Sequence, residues 1–550
     1  MPTTYLAPGV YVEEVPSAQQ PIAGVGTNTV GFIGVVPDII RIPVPNDWYD
    51  PNLAEIVHRG EGSTDKEKAE HAAALAQLDA LVDREKKKDT LAQELGNTIK
   101  RLEADERRLT DEIAKKEAEL KAPPEGMSAA EAKARERQLT RDIQGLRETQ
   151  LKGVTAQLTE TRNRQTQGVT RDDFLRPYRI KTVPVTHPPG DAKLCTNFTE
   201  YVEYFGSYSV DEREFAGHRA LTHAVSGFFK NGGTRCFVVR VTSENADEIE
   251  QALRDFETVD EIAIVAAPGL TPGRQVWGQL VTHCEEMKDR FAILDPPEIV
   301  GKDDDLNVTL LSYSAPPDES LLPERNRNAA FYFPYLEVFD PAKQLQDQDP
   351  TRKRPAKHRG KVYVPPSGHI AGVYARVDAE RGVHKAPGNE AVLGANDVKY
   401  YIGRRHQDLL NPQGVNCIRS VDGNIRVYGA RTIGGDKNGE WKYVNVRRVM
   451  LFLKESIDEG TQWVVFEPND SSLWGKIRRN VSAFLTNVWR SGALIGTTPQ
   501  EAFYVKCDAE TNPPEVRDLG QVITEIGVAI VRPAEFVIFR VTQWTGPNKS

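Results

Sequence analysis

The hydrophobic pattern of residues 195–295 predicts an α/β domain. Helices at 197–206 and 212–230 precede a continuous apolar run, CFVVRV at 236–241, which is typical of a strand buried on both faces. A helix around 246–257, a second buried run (IAIVAAPG, 262–269), a helix around 274–288 and the strand FAILDPP follow. This alternation predicts a mostly parallel sheet flanked by helices.

Both ends of the chain carry segments that favour extended structure. Near the start, Val10, Tyr11 and Val12 are β-forming residues, and TNTVGFIGVVP at 27–37 predicts a buried first strand. Near the end, a helix at 444–459, a strand QWVVFEP and a second helix capped by Asn469 or Asp470 are expected. The β-rich pieces AFYVKC, QVITEIGVAIV and EFVIFRVTQW complete the chain, and the last strand looks detachable from its own domain.

Residues 64–166 follow a different pattern, because 42 of these 103 residues are charged, in equal numbers of each sign. A heptad seam runs through Leu95, Ile99, Leu102, Leu109, Ile113 and Leu120. After PPEGMS a second seam contains Leu139, Ile143 and Leu146, breaks near Gln150, and continues with Val154 and Leu158. Two seams joined by such a turn predict an antiparallel helical hairpin that projects as an inserted arm. The alternative is a single solvated charged helix. A polar, proline-bearing stretch at 340–361 is expected to be an exposed loop.

Composition and charge exclude several classes of protein. Of the 550 residues, 39% are hydrophobic and 27% charged, so three or four packed domains are expected rather than wholesale disorder. A net charge of -9 argues against a general nucleic-acid binder. The chain has no apolar run long enough to span a bilayer and no basic-then-apolar start, so we expect a soluble, cytoplasmically made protein. Five cysteines without a CxxC pair predict buried thiols rather than disulfides or a zinc ribbon.

The sequence offers no assembled catalytic chemistry. It has no GxxxxGK[ST], HExxH or GxSxG motif, and no GxGxxG after a strand. His218 and His223 stand five apart, which does not place both on one helical face as metal ligands, and acidic neighbours of Cys284 discourage a thiolate. We therefore predict no catalytic, cofactor-binding or metal-binding residues, and no cofactor. Extended arms, by contrast, are able to add strands to a neighbour's sheet.

Several long segments resemble the sheath proteins of contractile phage tails, R-type pyocins and phage-tail-like contractile injection systems. The resemblance covers about 1–38 and 195–550, and residues 45–190 depart from it. The matching segments are PPSGHIAGVYARVDAERGVHKAPGNE (365–390), NCIRSVDGNIRVYGARTIGGD (416–436), WKYVNVRRVMLFLKESI (441–457), SLWGKIRRNVSAFLTNVWRSGALIGTTPQEAFYVKCD (472–508), IGVAIVRPAEFVIFRVTQW and the opening YLAPGVYVEEVPS.

The resemblance implies a structural protein and not an enzyme. Such subunits stack as hexameric rings around an inner tube, exchange terminal arms, and contract to drive the tube through a target envelope. The implied partners are other copies of the chain, the inner-tube protein, and baseplate and cap proteins, with no nucleic acid and no membrane insertion. The implied location is the bacterial cytoplasm during assembly and then a tail-like particle, either released or membrane-anchored.

The implied fold class is a multidomain α/β (α+β) protein with a mixed sheet, a coiled-coil hairpin and two extended arms. The expected divisions are an N-terminal arm (1–26), the first core strand (27–44), an insertion (45–194), a middle α/β domain (195–364), a C-terminal sheath domain (365–532) and a C-terminal arm strand (533–550). Two other functions stay open: a baseplate or cap component of the same machine, and an α/β enzyme.

Two sets of site residues follow from the resemblance. Arm exchange is assigned to the β-forming positions of the two arms, with pairing inside one subunit as the alternative. Attachment to the inner tube is assigned to the basic face of the 471–490 helix, with an ordinary solvated face as one alternative and Arg447 and Arg448 as the other. The arm residues are Val10, Tyr11, Val12, Val15, Phe536, Ile538, Phe539 and Val541, and the attachment residues are Lys476, Arg478 and Arg479.

Overall fold

A computed structural model describes residues 21–88, 90–121, 129–302, 305–316, 319–352 and 358–540. The chain divides into a larger unit, Gly26–Arg448, and a smaller unit formed by Met1–Val25 with Val449–Ser550. The two units are taken in turn below.

Strands and helices of the described residues are numbered in chain order. The strands are β1 (Val30–Val35), β2 (Ile39–Pro45), β3 (Tyr178–Pro184), β4 (Lys193–Cys195), β5 (Cys236–Val241), β6 (Ile264–Gly269), β7 (Phe291–Leu294), β8 (Gly301–Lys302), β9 (Asp305–Leu306), β10 (Ala329–Phe333), β11 (Leu336–Phe339), β12 (Lys361–Val364), β13 (Ala395–Val398), β14 (Val415–Val421), β15 (Asn424–Val427), β16 (Phe503–Lys506) and β17 (Glu525–Val528). The helices are α1 (Pro51–Arg59), α2 (Asp65–Lys88), α3 (Thr90–Lys121), α4 (Ala129–Gln144), α5 (Lys152–Gln167), α6 (Asp172–Leu175), α7 (Phe198–Phe205), α8 (Ala216–Lys230), α9 (Ala246–Glu257), α10 (Arg274–Met287), α11 (Pro341–Gln346), α12 (Ser367–Arg381), α13 (Arg404–Leu410), α14 (Val444–Thr461), α15 (Ser471–Arg490), α16 (Pro499–Ala502) and α17 (Pro514–Asp518).

A mixed sheet forms the core of the larger unit, in the order β15-β14-β10-β7-β6-β1-β5-β4. The six central strands are parallel, and β15 and β4 pair antiparallel at the two edges. Every residue of β5 and β6 is buried, as their continuous apolar runs predict for strands covered on both faces. The predicted α/β class is confirmed.

The order of strands and helices along the chain does not predict the position of β1 in this sheet. Val30 of β1 lies opposite Cys236 of β5 on one side and Ile264 of β6 on the other, so β1 separates two strands joined by a single helix. Gly31 and Gly34 permit close packing there, since an added Cβ would lie within about 3 Å of Phe256 or of Leu221 and Gly269.

Helices cover both faces of the sheet, and α8 and α12 pack against each other through small residues. An added Cβ at Gly368 would lie 2.3 Å from the Ala224 backbone, and one at Gly372 would lie 2.4 Å from the Phe228 carbonyl oxygen. Glycine at these two positions therefore lets the helix backbones approach more closely than side chains would allow.

The insertion is enclosed by a two-stranded ribbon. β2 and β3 pair antiparallel from Ile39 opposite Pro184 to Pro45 opposite Tyr178, so residues 46–177 begin and end at adjacent backbone positions. At the base, α1, α2 and α6 share a small core that contains Leu53, Leu78 and Phe174. α2 packs on this base core, and α3 forms the hairpin.

In the hairpin α3 packs against α4 and α5. Leu102, Leu109 and Ile113 of the first seam share a buried cluster with Ile143, Leu146, Val154 and Leu158 of the second. Lys116, late in α3, pairs with Asp142 of α4 at 2.7 Å, and Glu103, earlier in α3, pairs with Arg162 of α5 at 2.7 Å. Residues later in the second arm of the hairpin therefore meet residues earlier in the first. The packing is antiparallel.

A π-helix, Gly145–Leu151, explains the break in the second seam. A heptad continued from Leu146 would place Gln150 and Gly153 at the seam, whereas Leu151 and Val154 are the apolar residues. A π-turn accommodates one extra residue within a helix. It therefore returns Val154 and Leu158 to the buried face that Leu146 occupies.

Two predictions from the sequence are wrong. Residues 340–349 are not an exposed loop, because Asp340 caps α11 and contacts His223, and Lys343 and Gln346 are buried. The prediction is wrong here because a buried polar network and a solvated loop have similar amino-acid compositions. QWVVFEP is not a strand, because Gln462–Val464 is a 3-10 turn; a short apolar run does not distinguish the two.

The smaller unit is built on α15 and the part of α14 from Val449 onward. The rings of Phe452 and Phe484 lie 6.0 Å apart between the two helices. Residues 21–25 run along α14, since Ile22 packs on Gly460 and the Val25 amide donates to the Ser456 hydroxyl at 3.1 Å. Outside the helices, β16 and β17 form an antiparallel pair.

Candidate assembly surface

The last described residues leave the smaller unit in a segment that forms no helix or strand. Residues 529–531 are held by backbone hydrogen bonds, in which the Ile495 amide donates to Ala529 at 2.7 Å and the Val531 amide to Ala493 at 3.1 Å. Beyond them, residues 532–540 form no helix or strand. Phe536, Val537, Ile538 and Phe539 are 69%, 69%, 79% and 85% exposed. Four consecutive large apolar side chains are thus in contact with water in the isolated chain.

The smaller unit also contains a small sheet, to which the described residues add no third strand. β16 and β17 pair from Phe503 opposite Val528 to Lys506 opposite Glu525. Tyr504 is 60% exposed. An isolated two-stranded ribbon is marginally stable in water, and its outer edges present free backbone groups to an added strand.

Three of the predicted arm residues, Phe536, Ile538 and Phe539, lie on this exposed segment. Val10, Tyr11, Val12, Val15 and Val541 lie outside the described residues. The same segment includes Val537, which is as exposed as Phe536 and which the alternating pattern did not single out.

The three predicted attachment residues lie on the solvent side of α15. Asp470 caps this helix by accepting from the Leu473 amide at 2.9 Å, and the opposite face buries Ile477, Phe484 and Leu485. The side chains of Arg478 and Arg479 are exposed and that of Lys476 is half-buried. Arg478 donates to the Cys507 carbonyl at 2.9 Å, which restrains its guanidinium.

The competing choice, Arg447 and Arg448, is not on a surface. Arg448 is 4% exposed and donates to both carboxylate oxygens of Asp378, at 2.9 and 2.6 Å, and to the Thr27 carbonyl. Arg447 donates to the Asn328 side chain at 2.7 Å. Both guanidinium groups form hydrogen bonds inside the larger unit. Attachment to the inner tube through Arg447 and Arg448 is therefore not supported.

The titratable groups considered from the sequence are packed into the interior. His218 lies between the Ser209 hydroxyl and the Phe205 carbonyl, and burial lowers its pKa to about 4. Burial raises the pKa of the Cys195 and Cys417 thiols to about 12. Across the described ranges, no group of three or more His, Cys, Asp and Glu residues is arranged to hold a metal ion. No described helix is long and apolar enough to cross a membrane.

Exposed large apolar side chains are concentrated in the smaller unit. Besides the segment at 536–539, this unit exposes Val465, Phe466, Ile495, Tyr504, Leu519 and Ile523. Among the described residues of the insertion, 46–177, no large apolar side chain is exposed. Phe466 and Leu519 were missed in the sequence because each lies in a turn, where hydrophobic periodicity gives no signal. Exposed apolar side chains that are contiguous, as at 536–539, mark interaction sites.

Two family models match the chain. One, described as the phage tail sheath protein central domain, matches residues 243–433, and the other, the phage tail sheath C-terminal domain, matches residues 436–543. Together they cover more than half of the chain, and neither reaches the insertion.

Two curated proteins align with part of the chain. The tail sheath protein of Vibrio phage KVP40 is 28% identical over 181 residues, 32% of this chain and 26% of that protein. The putative prophage major tail sheath protein of Pseudomonas aeruginosa strain UCBPP-PA14 is 28% identical over 218 residues, 38% of this chain and 52% of that protein. The matches therefore span about a quarter to a half of these relatives.

Solved structures extend the likeness to the fold. A chain in the cryo-EM structure of the anti-feeding prophage baseplate is 28% identical, with a TM-score of 0.52, over 65% of this chain and 88% of that one. A chain in the contracted sheath complex of the extracellular contractile injection system PVC is 26% identical, also with a TM-score of 0.52, over 65% and 88%.

Proposed function

Because this chain belongs to the phage tail sheath family, we propose that it is the structural subunit of a contractile sheath. It polymerises as stacked hexameric rings around an inner tube and contracts to drive the tube through a target envelope. Its partners are further copies of itself, the inner-tube protein, and baseplate and cap proteins. The particle is assembled in the bacterial cytoplasm.

One observation carries this proposal: four consecutive apolar side chains at 536–539 are exposed, and the described residues add no third strand to the sheet of β16 and β17. In a polymer, the segment of one copy adds to the sheet of another, and the part of the N-terminal arm that precedes residue 21 adds in the same way. Main-chain hydrogen bonds then supply affinity, and the alternate side chains supply specificity. Such head-to-tail contacts propagate into helices rather than closed dimers.

Deletion of the arms tests strand exchange. We expect the variant lacking residues 1–16, and the variant lacking 532–550, to fold with unchanged far-UV circular dichroism and to form no cylinders in negative-stain micrographs. Normal cylinders from either variant would contradict arm exchange.

The insertion is proposed to lie on the outer surface of the sheath. Its described residues expose no large apolar side chain, and its charges are balanced, so burial against a tube would leave many charges without water. Since Pro45 and Tyr178 are register partners, an Asn-Gly turn can replace residues 46–177 and close β2 and β3 as a hairpin.

This excision serves as the matched control for the arm deletions. We expect cylinders that keep their inner diameter and lose outer density. Loss of polymerisation, or a change confined to the lumen, would contradict the outer placement.

A second candidate is a ring-forming component next to the baseplate, since one of the similar solved chains belongs to a baseplate structure. Micrographs of the purified protein separate the two candidates: long hollow cylinders support the sheath, and single rings that do not extend support the baseplate role.

A further inference from the structure

The turn between α14 and α15 holds a phenylalanine in a strained backbone conformation. The Glu467 amide donates to the Val464 carbonyl at 3.1 Å, Val465 has φ -65° and ψ 128°, and Phe466 has φ 67°. These values define a type II turn, whose third position favours glycine because a side chain there meets the backbone. Of the other described non-glycine residues with positive φ, Asn389 and Asp422 are of types that tolerate this region, and Lys288 is a helix cap.

Among the residues that the structure describes, none makes a contact with Phe466 that offsets this strain. Phe466 is 103% exposed, so its ring gains nothing from packing against its own subunit. Residues held in unfavourable backbone conformations persist where the surroundings determine them, and they cluster at binding sites.

Side-chain hydrogen bonds fix the chain between this turn and the start of α15. The Asn469 side chain donates to the Gln521 carbonyl at 2.8 Å and accepts from the Trp474 indole at 2.9 Å. Asp470, next along the chain, caps the helix. Phe466 is therefore presented from a fixed frame that is shared with the helix bearing Lys476 and Arg479.

We propose that Phe466 is the apolar anchor of the tube-facing surface. It enters an apolar pocket of the inner-tube protein, bordered by carboxylates that meet Lys476 and Arg479. This inference rests on the proposed attachment through α15. Its support is that the turn directly precedes that helix in the chain and that aromatic and arginine side chains are enriched at the buried centres of interfaces.

Phe466→Asn tests the anchor, because asparagine tolerates positive φ and removes the ring. Binding is measured by co-sedimentation with preformed tubes of the inner-tube protein from the same particle. We expect the variant to bind tubes at least about tenfold more weakly, since a buried phenylalanine ring contributes that much or more. The Tm of the free subunit should equal or exceed that of the wild type because strain is relieved. Phe466→Tyr should restore binding, and Phe339→Asn, at an exposed phenylalanine of the larger unit, is the matched control.

Three results would overturn the inference: wild-type tube binding by Phe466→Asn, a lowered Tm, which would indicate a structural role, or loss of cylinders formed without tubes, which would make a second copy the occupant. The double variant Lys476→Glu, Arg479→Glu separates this inference from the proposed function. If that variant releases the tube and Phe466→Asn does not, the anchor is wrong and attachment through α15 stands. If neither releases it, attachment through α15 itself fails.

Discussion

Replacing Phe536 and Ile538 together by serine should suppress polymerisation without affecting the folded subunit. The two residues stand two positions apart, so in an added strand they lie on one face of the sheet. They are 69% and 79% exposed in the isolated chain, so most of their apolar surface is available for burial by a neighbouring copy.

The structure sets the size of the effect. Full burial of a phenylalanine or isoleucine side chain contributes about 1.5–3 kcal/mol. Scaled by the exposed fractions, the pair contributes roughly 2–4 kcal/mol per junction, so the critical concentration for polymerisation should rise about 30- to 1,000-fold.

Polymer is measured by sedimentation over a concentration series, and stability by the Tm of the dilute subunit. The Tm should stay within about 1 °C of the wild type, because the two side chains have little surface to lose on unfolding. Leu409→Ser, at a 59% exposed position of the larger unit, is the matched control and should leave both quantities unchanged. An unchanged critical concentration, or a Tm several degrees lower, would refute the reasoning.

Three further predictions concern the larger unit. Arg448→Ala leaves the buried Asp378 carboxylate without its cation, and the free energy of unfolding in urea should fall by about 3–5 kcal/mol; a loss below about 1 kcal/mol would contradict the ion pair. Leu109→Asp places a charge in the hairpin seam, where Leu109 is 2% exposed, so helicity at 222 nm should drop while cylinders still form; unchanged helicity would exclude the seam. Burial raises the pKa of Asp295 to about 7, so the folded state keeps a proton that the unfolded chain releases above about pH 4. The contribution of Asp295 to the free energy of unfolding should therefore fall as pH rises from 4 to 7, and the Tm of Asp295→Asn should rise relative to that of the wild type over this range; a Tm difference that does not change with pH would contradict this.

Local pattern was sufficient for elements whose neighbours in space are their neighbours in sequence. The strand Cys236–Val241 and the helix Ala246–Glu257 occupy the predicted positions, because a fully apolar run and a single amphipathic face determine them. The break near Gln150 was likewise visible in the sequence, although its form as a π-helix was not. Hydrophobic periodicity shows which residues belong to a seam and where the seam breaks. It does not show which backbone hydrogen bonds return the following residues to the same face.

Elements that depend on distant partners escaped prediction. The stretch after Asp340 has the composition of a loop, yet His223, more than a hundred residues earlier, pairs with Asp340 and buries it. Arg448 has the sequence context of an exposed helix residue, and only the approach of Asp378 shows it to be internal. Phe466 carries no periodic signal, and its importance lies in a backbone angle and a full exposure.

From its residues alone, this protein can be assigned an α/β class, an inserted charged hairpin and, through long matching segments, a family. These follow because short-range spacing determines helices, strands and seams, and because extended motifs are specific. The position of β1 between β5 and β6, the burial of Arg448 and the burial of Asp340 emerged only from the folded chain. Each of these depends on which distant groups exclude water from one another, and that depends on packing in three dimensions rather than on order along the sequence.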